Sequence, residues 1–288
     1  MTELMQYLVI GLALGAIYGM VALGFTIVYN STGVINFAHG ELVMVGGLLS
    51  ITLVNTGVPL LPSALIAALA AGLVGLVIEV LTYDRFPSPD PVRVVLATLA
   101  LGLVLKAAAL HVWGKDPYYL DTFSQAQRVD LGGVVVPTQA LWVLGTAALV
   151  VLATFVFFRN SRHGQGMLAA SLDKDTASLM GVNVRLMAAG SFFISGMLGA
   201  IAGVVTAPLT ASSYSIGAAF AVTGFIAAAL GGLGSAPGAL LGGAIIGLSE
   251  TFAAGYVSSE LKQTIALGLG VAVLMARPEG LLKRGVRS

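Results

Sequence analysis

The stretch Asn36-Phe37-Ala38-His39-Gly40-Glu41 sets an amide, an imidazole and a carboxylate within six consecutive residues. Glu79, Lys106 and Glu250 stand singly in other apolar runs. Such groups can move a proton, hold a cation or line a polar path. Metal binding is a poor reading, because His39 has no histidine at ligand spacing and the chain has no cysteine. The run Gly231-Gly232-Leu233-Gly234-Ser235-Ala236-Pro237-Gly238 is a turn by composition and lacks the Gly-Lys-Ser/Thr ending of a phosphate-binding loop. No serine sits in a Gly-x-Ser-x-Gly elbow. No catalytic residue, metal site or cofactor is therefore expected in this chain.

The medium around these groups follows from composition. Hydrophobic residues make up 57% of the 288 and charged residues 9%, with a mean hydropathy of +0.96. A soluble domain carries about 25% charged residues, so lipid is the main solvent here. The net charge of +1 gives no reason to expect nucleic acid. With zero cysteines, disulfides and thiolate chemistry are excluded. Met1-Thr2-Glu3-Leu4 has no basic n-region, so no cleaved signal peptide is expected.

Nine apolar segments are expected to span a single transmembrane domain over 1–288: Met5–Val28, Val34–Val54, Leu60–Thr82, Val94–Val112, Thr138–Phe158, Leu186–Ala207, Ala218–Leu233, Gly238–Tyr256 and Leu261–Ala276. The second contains Asn36, His39 and Glu41, and the seventh is short. Either can be a broken or re-entrant helix, which is tolerated where protein or water covers the backbone. The predicted fold is an all-α integral membrane bundle. A charge at the bilayer centre costs about 3 kcal/mol by insertion-based scales. The buried carboxylates must therefore face protein or water, pair, or lose their charge. For Glu41, beside His39 and Asn36, this points to a path lining. Glu79, close to the end of its segment, reads better as a structural hydrogen-bonding residue.

The chain also carries a near-repeat. Leu14-Gly15-Ala16-Ile17-Tyr18-Gly19 returns as Leu198-Gly199-Ala200-Ile201-Ala202-Gly203, and Gly40 and Gly47 fall on Gly224 and Gly231 at the same offset. Gly75-Leu76 and Glu79 match Gly247-Leu248 and Glu250 with a shift of one. Repeat 1 covers about 5–112 and repeat 2 about 186–276. Arg85 and Arg93, then Arg159, Arg162, Lys174 and Arg185, then Arg277, Lys283, Arg284 and Arg287 form three basic clusters. Nine crossings with the N-terminus outside and the C-terminus cytoplasmic place all three inside. The two repeats then run antiparallel, as transporter repeats often do. Asn36, His39, Glu41, Thr223 and Glu250 are the candidate path residues.

The segment of about 159–185 is the longest loop on the predicted inner side. Gly164-Gln165-Gly166 precedes a run from Met167 to Met180 with loose helical spacing, ended by Gly181. A surface helix there suits docking to another protein, although an amphipathic connector has the same spacing.

Several of these motifs resemble one family. The stretch from Leu14 to Gly19 through Val34-Ile35-Asn36-Phe37-Ala38-His39-Gly40-Glu41 is similar to the start of permeases of the high-affinity branched-chain amino-acid ABC importers. Asp173-Lys174-Asp175-Thr176-Ala177-Ser178-Leu179-Met180-Gly181-Val182-Asn183 resembles their ATPase-contacting segment, and Ala276-Arg277-Pro278-Glu279-Gly280-Leu281-Leu282 their ending. Leu168 and Ser178 stand where members often carry basic residues. The resemblance implies a permease subunit of the bacterial inner membrane, paired with a second permease. It further implies two cytoplasmic ATPases that bind the ATP and Mg, and a periplasmic binding protein. Gly164, Met167, Asp173, Asp175, Ala177, Met180 and Gly181 would then carry ATPase coupling. Relatives that import urea, amides or small carboxylic and aromatic acids share the scaffold. From the residues alone, an ion-gradient transporter or a small-solute channel remains open.

Overall fold

The computed structural model describes residues 2–85, 90–124, 126, 128–130 and 135–282. The basic residues Lys283, Arg284 and Arg287 lie outside the described residues. Each of the nine apolar segments folds as a helix. In the first half these are α1 (Thr2–Thr32), α2 (His39–Asn55), α3 (Leu60–Thr82) and α4 (Pro91–Trp113), followed by α5 (Thr138–Asn160). Then come α6 (Arg162–Leu172) and α7 (Lys174–Leu179), which occupy the 159–185 loop. The second half contains α8 (Val184–Thr206), α9 (Ile216–Gly231), α10 (Ala236–Tyr256) and α11 (Lys262–Ala276). Six of the nine are long and apolar enough to cross a membrane, while α2, α9 and α11 are shorter. The sequence marked two weak segments, and the structure adds α11 to them.

The fold is all-α apart from one hairpin among the described residues. β1 (Arg128–Asp130) pairs antiparallel with β2 (Val135–Pro137), with Val129 opposite Val136. It sits in the α4–α5 loop. Tyr118 of that loop exchanges two backbone hydrogen bonds with Ser212, of 2.9 and 2.8 Å, which ties it to the α8–α9 connection.

Lipid supplies no hydrophobic force between helices, so close packing of small residues must hold them together. Gly15 and Gly19 of α1 lie against Gly243 and Gly247 of α10, and a Cβ at Gly15, Gly243 or Gly247 would run into the partner backbone. In α3, Gly75 meets the backbone of Phe192 on α8, and Gly196 of α8 meets that of Ala71. The α1–α10 crossing thus has a counterpart in α8–α3. Ile17, Met20, Leu23, Phe25, Leu230 and Ile246 belong to one buried core, and Phe192 to a second with Ala68, Ala71 and Ile78. α4 and α5 present Leu96, Leu103, Val104, Leu149, Leu152 and Phe155 outward, as helices facing lipid do.

The ends of the bundle are sewn by backbone. After α11 the chain turns at Gly280 (φ 79°) and returns to α9. There the N–H groups of Leu281 and Leu282 donate to the carbonyls of Leu230 and Gly231, at 2.8 and 3.1 Å. Those carbonyls end a helix and have no acceptor role inside it.

Candidate functional site

The polar patch forms where α2 starts. α1 ends and Gly33 adopts a φ of 75°. Asn36 Oδ1 then accepts from the Ala38 N–H at 3.1 Å, and the Asn36 carbonyl accepts from the His39 N–H at 3.2 Å. This turn starts α2 inside the bundle rather than at its rim. The Phe37 N–H donates to Thr98 Oγ1 of α4 at 3.2 Å.

His39 is fully buried and joins three helices. Its Nε2 lies 3.1 Å from the Val21 carbonyl of α1, and its Nδ1 2.9 Å from Ser195 Oγ of α8. A carbonyl only accepts, so Nε2 carries the hydrogen; in the neutral ring Nδ1 then accepts from the Ser195 hydroxyl. Phe25 packs edge-on against the imidazole, with centroids 4.9 Å apart. Gly24 and Gly199 leave it room, since a Cβ at either would press on the ring. Gly199 belongs to the repeated motif, so one purpose of that motif is to seat His39.

Glu41 behaves differently. It is 6% exposed, yet its Oε2 has no hydrogen-bond partner. The carboxylate packs against Gly217, in the first turn of α9, and its stem against Gly102 of α4. Lys106, one turn beyond Gly102, interacts with it electrostatically and sits 5.9 Å from the Tyr214 ring centroid. Asn36 Nδ2 is also buried without a partner. A bare acceptor and a bare donor therefore lie within two turns of chain, at the level where α2 and α9 both begin. Bare polar groups cost free energy in an apolar interior unless something meets them. Thr223 is buried farther along α9.

Glu250 stands apart from this cluster. Tyr18 OH donates to its Oε2 at 2.6 Å, and Lys262 Nζ lies 3.6 Å from Oε1. Glu79 lies near Asp84 and Arg185, which form an ion pair with each other. The structure thus brings Asn36, His39 and Glu41 together and gives Glu250 its own partners. Among the described residues, no group of His, Asp and Glu is arranged to hold a metal.

The 159–185 segment is two helices rather than one. The single run expected from Met167 to Met180 breaks at Asp173, which is extended (φ −157°) and caps α7 by accepting from the N–H groups of Asp175 and Thr176. Those bonds, with one from the Thr176 hydroxyl, hold the Asp173 carboxyl below the usual range; the Thr176 N–H is the largest cause. Gly164, Met167 and Ala177 face inward: Met167, Ala170, Ala177 and Met187 form a small core, and Gly164 lies on the end of α5. Asp175, Met180 and Gly181 are exposed, and Gly181 turns with a φ of 83°. Leu172, Leu179 and Met180 are 76, 88 and 81% exposed.

One residue here carries more than its sequence showed. Lys174 Nζ donates to the Thr32 carbonyl at 2.6 Å and to Tyr83 OH at 3.2 Å. The first bond places a cation on the C-terminal end of α1, where the helix dipole favours it. α1 also supplies the carbonyl that His39 reads and the hydroxyl that Glu250 reads. Lys174 therefore joins the surface segment to the central helix. Ser195, Tyr18 and Lys174 escaped the sequence reading because their partners lie 156, 232 and 142 residues away.

With this geometry in view, residues 7–274 match the family described as branched-chain amino acid transport system, permease component. The high-affinity branched-chain amino acid permease protein BraD of Pseudomonas aeruginosa is 31% identical, over 97% of this chain and 96% of its own length. LivH of Escherichia coli is 30% identical over the same shares. The ribose import permease RbsC of Escherichia coli is 25% identical over 81% of this chain and 73% of its own. Among solved structures, PsaBC from Streptococcus pneumoniae shares the fold, with a TM-score of 0.53 at 15% identity, covering 97% of this chain and 93% of that one.

Proposed function

Because the chain belongs to the branched-chain amino acid transport system permease component family, we propose that it forms the membrane path of an ATP-driven importer for branched-chain or other small amino acids. A periplasmic binding protein delivers the substrate and a second, related permease completes the path. Two cytoplasmic ATPases, carrying the ATP and Mg, drive the cycle. The chain sits in the bacterial inner membrane with its N-terminus outside and α6 and α7 on the cytoplasmic side. Residues 5–112 and 186–276 are antiparallel repeats, a reading supported by the matched α1–α10 and α8–α3 crossings.

The observation that carries this reading is the surface segment. Leu172, Leu179 and Met180 expose apolar side chains at the surface of α6 and α7, over a seat of Met167, Ala170 and Ala177. Exposed apolar patches of this kind mark partner surfaces. Lys174 carries motion of that surface to α1. A coupled path needs two arrangements with different contacts to the driving partner, and a rigid seated helix supplies that difference. Asn36 and Glu41, bare where α2 and α9 begin, suit a solute that offers both a donor and an acceptor.

Reconstituted vesicles test the proposal. Uptake should follow ATP and require the ATPases and the binding protein. Uptake of amino acid by this chain alone, driven by an ion gradient, would replace the importer with a secondary transporter.

A further inference from the structure

An apolar crevice of about 420 Å³ runs between α1 and α5, bounded by α6 and by the start of α10. Leu23 and Ile27, both buried, lie at its depth, while Phe155 of α5 and Leu168 of α6 line it and are also exposed. Phe155 belongs with Leu149 and Leu152 to the outward side of α5. At that edge the crevice therefore opens on lipid. Among the described residues, no charged side chain lines it.

Its rim is cationic. Arg159 stands one turn after Phe155 on the same face of α5, and its guanidinium lies 5.8 Å from the centroid of that ring. α5 ends at Asn160 and α6 starts at Arg162. Between them Ser161 caps α6, its hydroxyl accepting from the Gly164 N–H at 2.9 Å. The Gln165 side chain donates to the Arg159 carbonyl, also at 2.9 Å, and folds the first turn of α6 onto the end of α5. Arg159 and Arg162 thus stand exposed at one corner. Among the described residues neither belongs to an ion pair. From 131 to 172 the sequence holds no Asp or Glu. The flanking acids are committed elsewhere: Asp130 lies in the hairpin at the opposite end of α5, and Asp173 caps α7.

We propose that the crevice holds an anionic phospholipid, with one acyl chain between α1 and α5 and the phosphate on Arg159 and Arg162. Guanidinium forks match phosphate oxygens in pairs, and the N-terminal end of α6 adds a dipole of the right sign. The head is the anionic kind because the ammonium of phosphatidylethanolamine finds no carboxylate at this corner. The acyl chain continues the lipid that already covers Leu149 and Leu152. Leu168 of α6 and Leu23 of α1 line the same crevice, so the chain fills the gap between the surface segment and the central helix. The site requires only that the α5–α6 corner lie at the membrane surface, and it stands apart from the energy source of transport.

The test uses the full chain, delipidated in a neutral detergent. Native mass spectrometry follows the first lipid bound during titration with dioleoyl phosphatidylglycerol or dioleoyl phosphatidylethanolamine. The parent should favour phosphatidylglycerol. Arg159→Gln and Arg162→Gln should each weaken phosphatidylglycerol about fivefold, the effect of one cation near an anionic head, and leave phosphatidylethanolamine unchanged. Arg85→Gln, which removes a cation from the loop after α3, should alter neither lipid. Val151→Phe narrows the crevice from α5 and should weaken both. Excess inorganic phosphate should displace neither. An equal loss in Arg85→Gln would make the preference a property of any basic surface and overturn the proposal. So would unchanged phosphatidylglycerol binding in both arginine variants, full binding in Val151→Phe, or displacement by phosphate alone.

Discussion

Ser195 Oγ stands 2.9 Å from Nδ1 of His39 across the crossing of α8 and α2. The bond leaves the imidazole satisfied on both sides, so His39 is a brace that fixes where α2 begins. Ser195→Ala strands a buried acceptor, which costs about 1–3 kcal/mol. We expect a lower unfolding temperature in detergent, with His39→Ala lowering it further and the two changes together adding less than their sum. Fully additive losses would mean that the pair does not act as a unit.

Lys174→Met keeps the apolar stem but takes the cation from the end of α1. The expected outcome is a transporter that still co-purifies with its ATPases, because Leu172, Leu179 and Met180 are intact, but whose hydrolysis no longer rises with loaded binding protein. Normal stimulation in this variant would remove Lys174 from the coupling route.

Gly217 has no side chain because the Glu41 carboxylate occupies the space. Gly217→Ala should reduce uptake strongly at equal expression. Adding Glu41→Ala removes the carboxylate contact but leaves the Glu41 Cα 2.9 Å from the new methyl group, so it should recover folded protein in part, without recovering transport if the bare carboxylate meets the solute. Recovery of both by the double change would leave Glu41 with a structural part only.

Asp173 makes a pH statement. Its folded pKa lies below its unfolded value, so the cap contributes stability above the unfolded pKa and loses it as pH falls through the folded one. Between about pH 5 and 8 the cap is therefore constant. The ratio of stimulated hydrolysis between the parent and Asp173→Ala should be flat over that window. A ratio that changes with pH there would assign the dependence to another group.

Orientation is open to direct labelling in this cysteine-free chain. A cysteine at Ser178 should react only from the cytoplasmic side, and one at Thr56, past the end of α2, only from outside. Labelling of both from the same side would contradict the antiparallel arrangement.

The helices were legible in the sequence wherever apolar residues ran for about 20 positions, as in α3 and α5. The polar residues that weaken α2 are the ones that begin it within the bundle, so Asn36 and His39 marked both the anomaly and its place. The break at Asp173 was hidden by spacing, since a capping aspartate and a helical one look alike until the backbone is known. Lys174 read as one more positive-inside charge, and Ser195 as a small residue in an apolar span. Their roles are set by partners more than 100 residues away, a distance at which periodicity is silent.

The closing turn at Gly280 also bears on how the protein is made. Leu230 and Gly231 leave the ribosome well before Leu281 and Leu282, so a nascent chain can insert α9 yet must hold its last carbonyls bare until synthesis passes α11. A chain stopped at Ala276 would contain every helix of the described residues but lack the two bonds that stitch the tail to the end of α9.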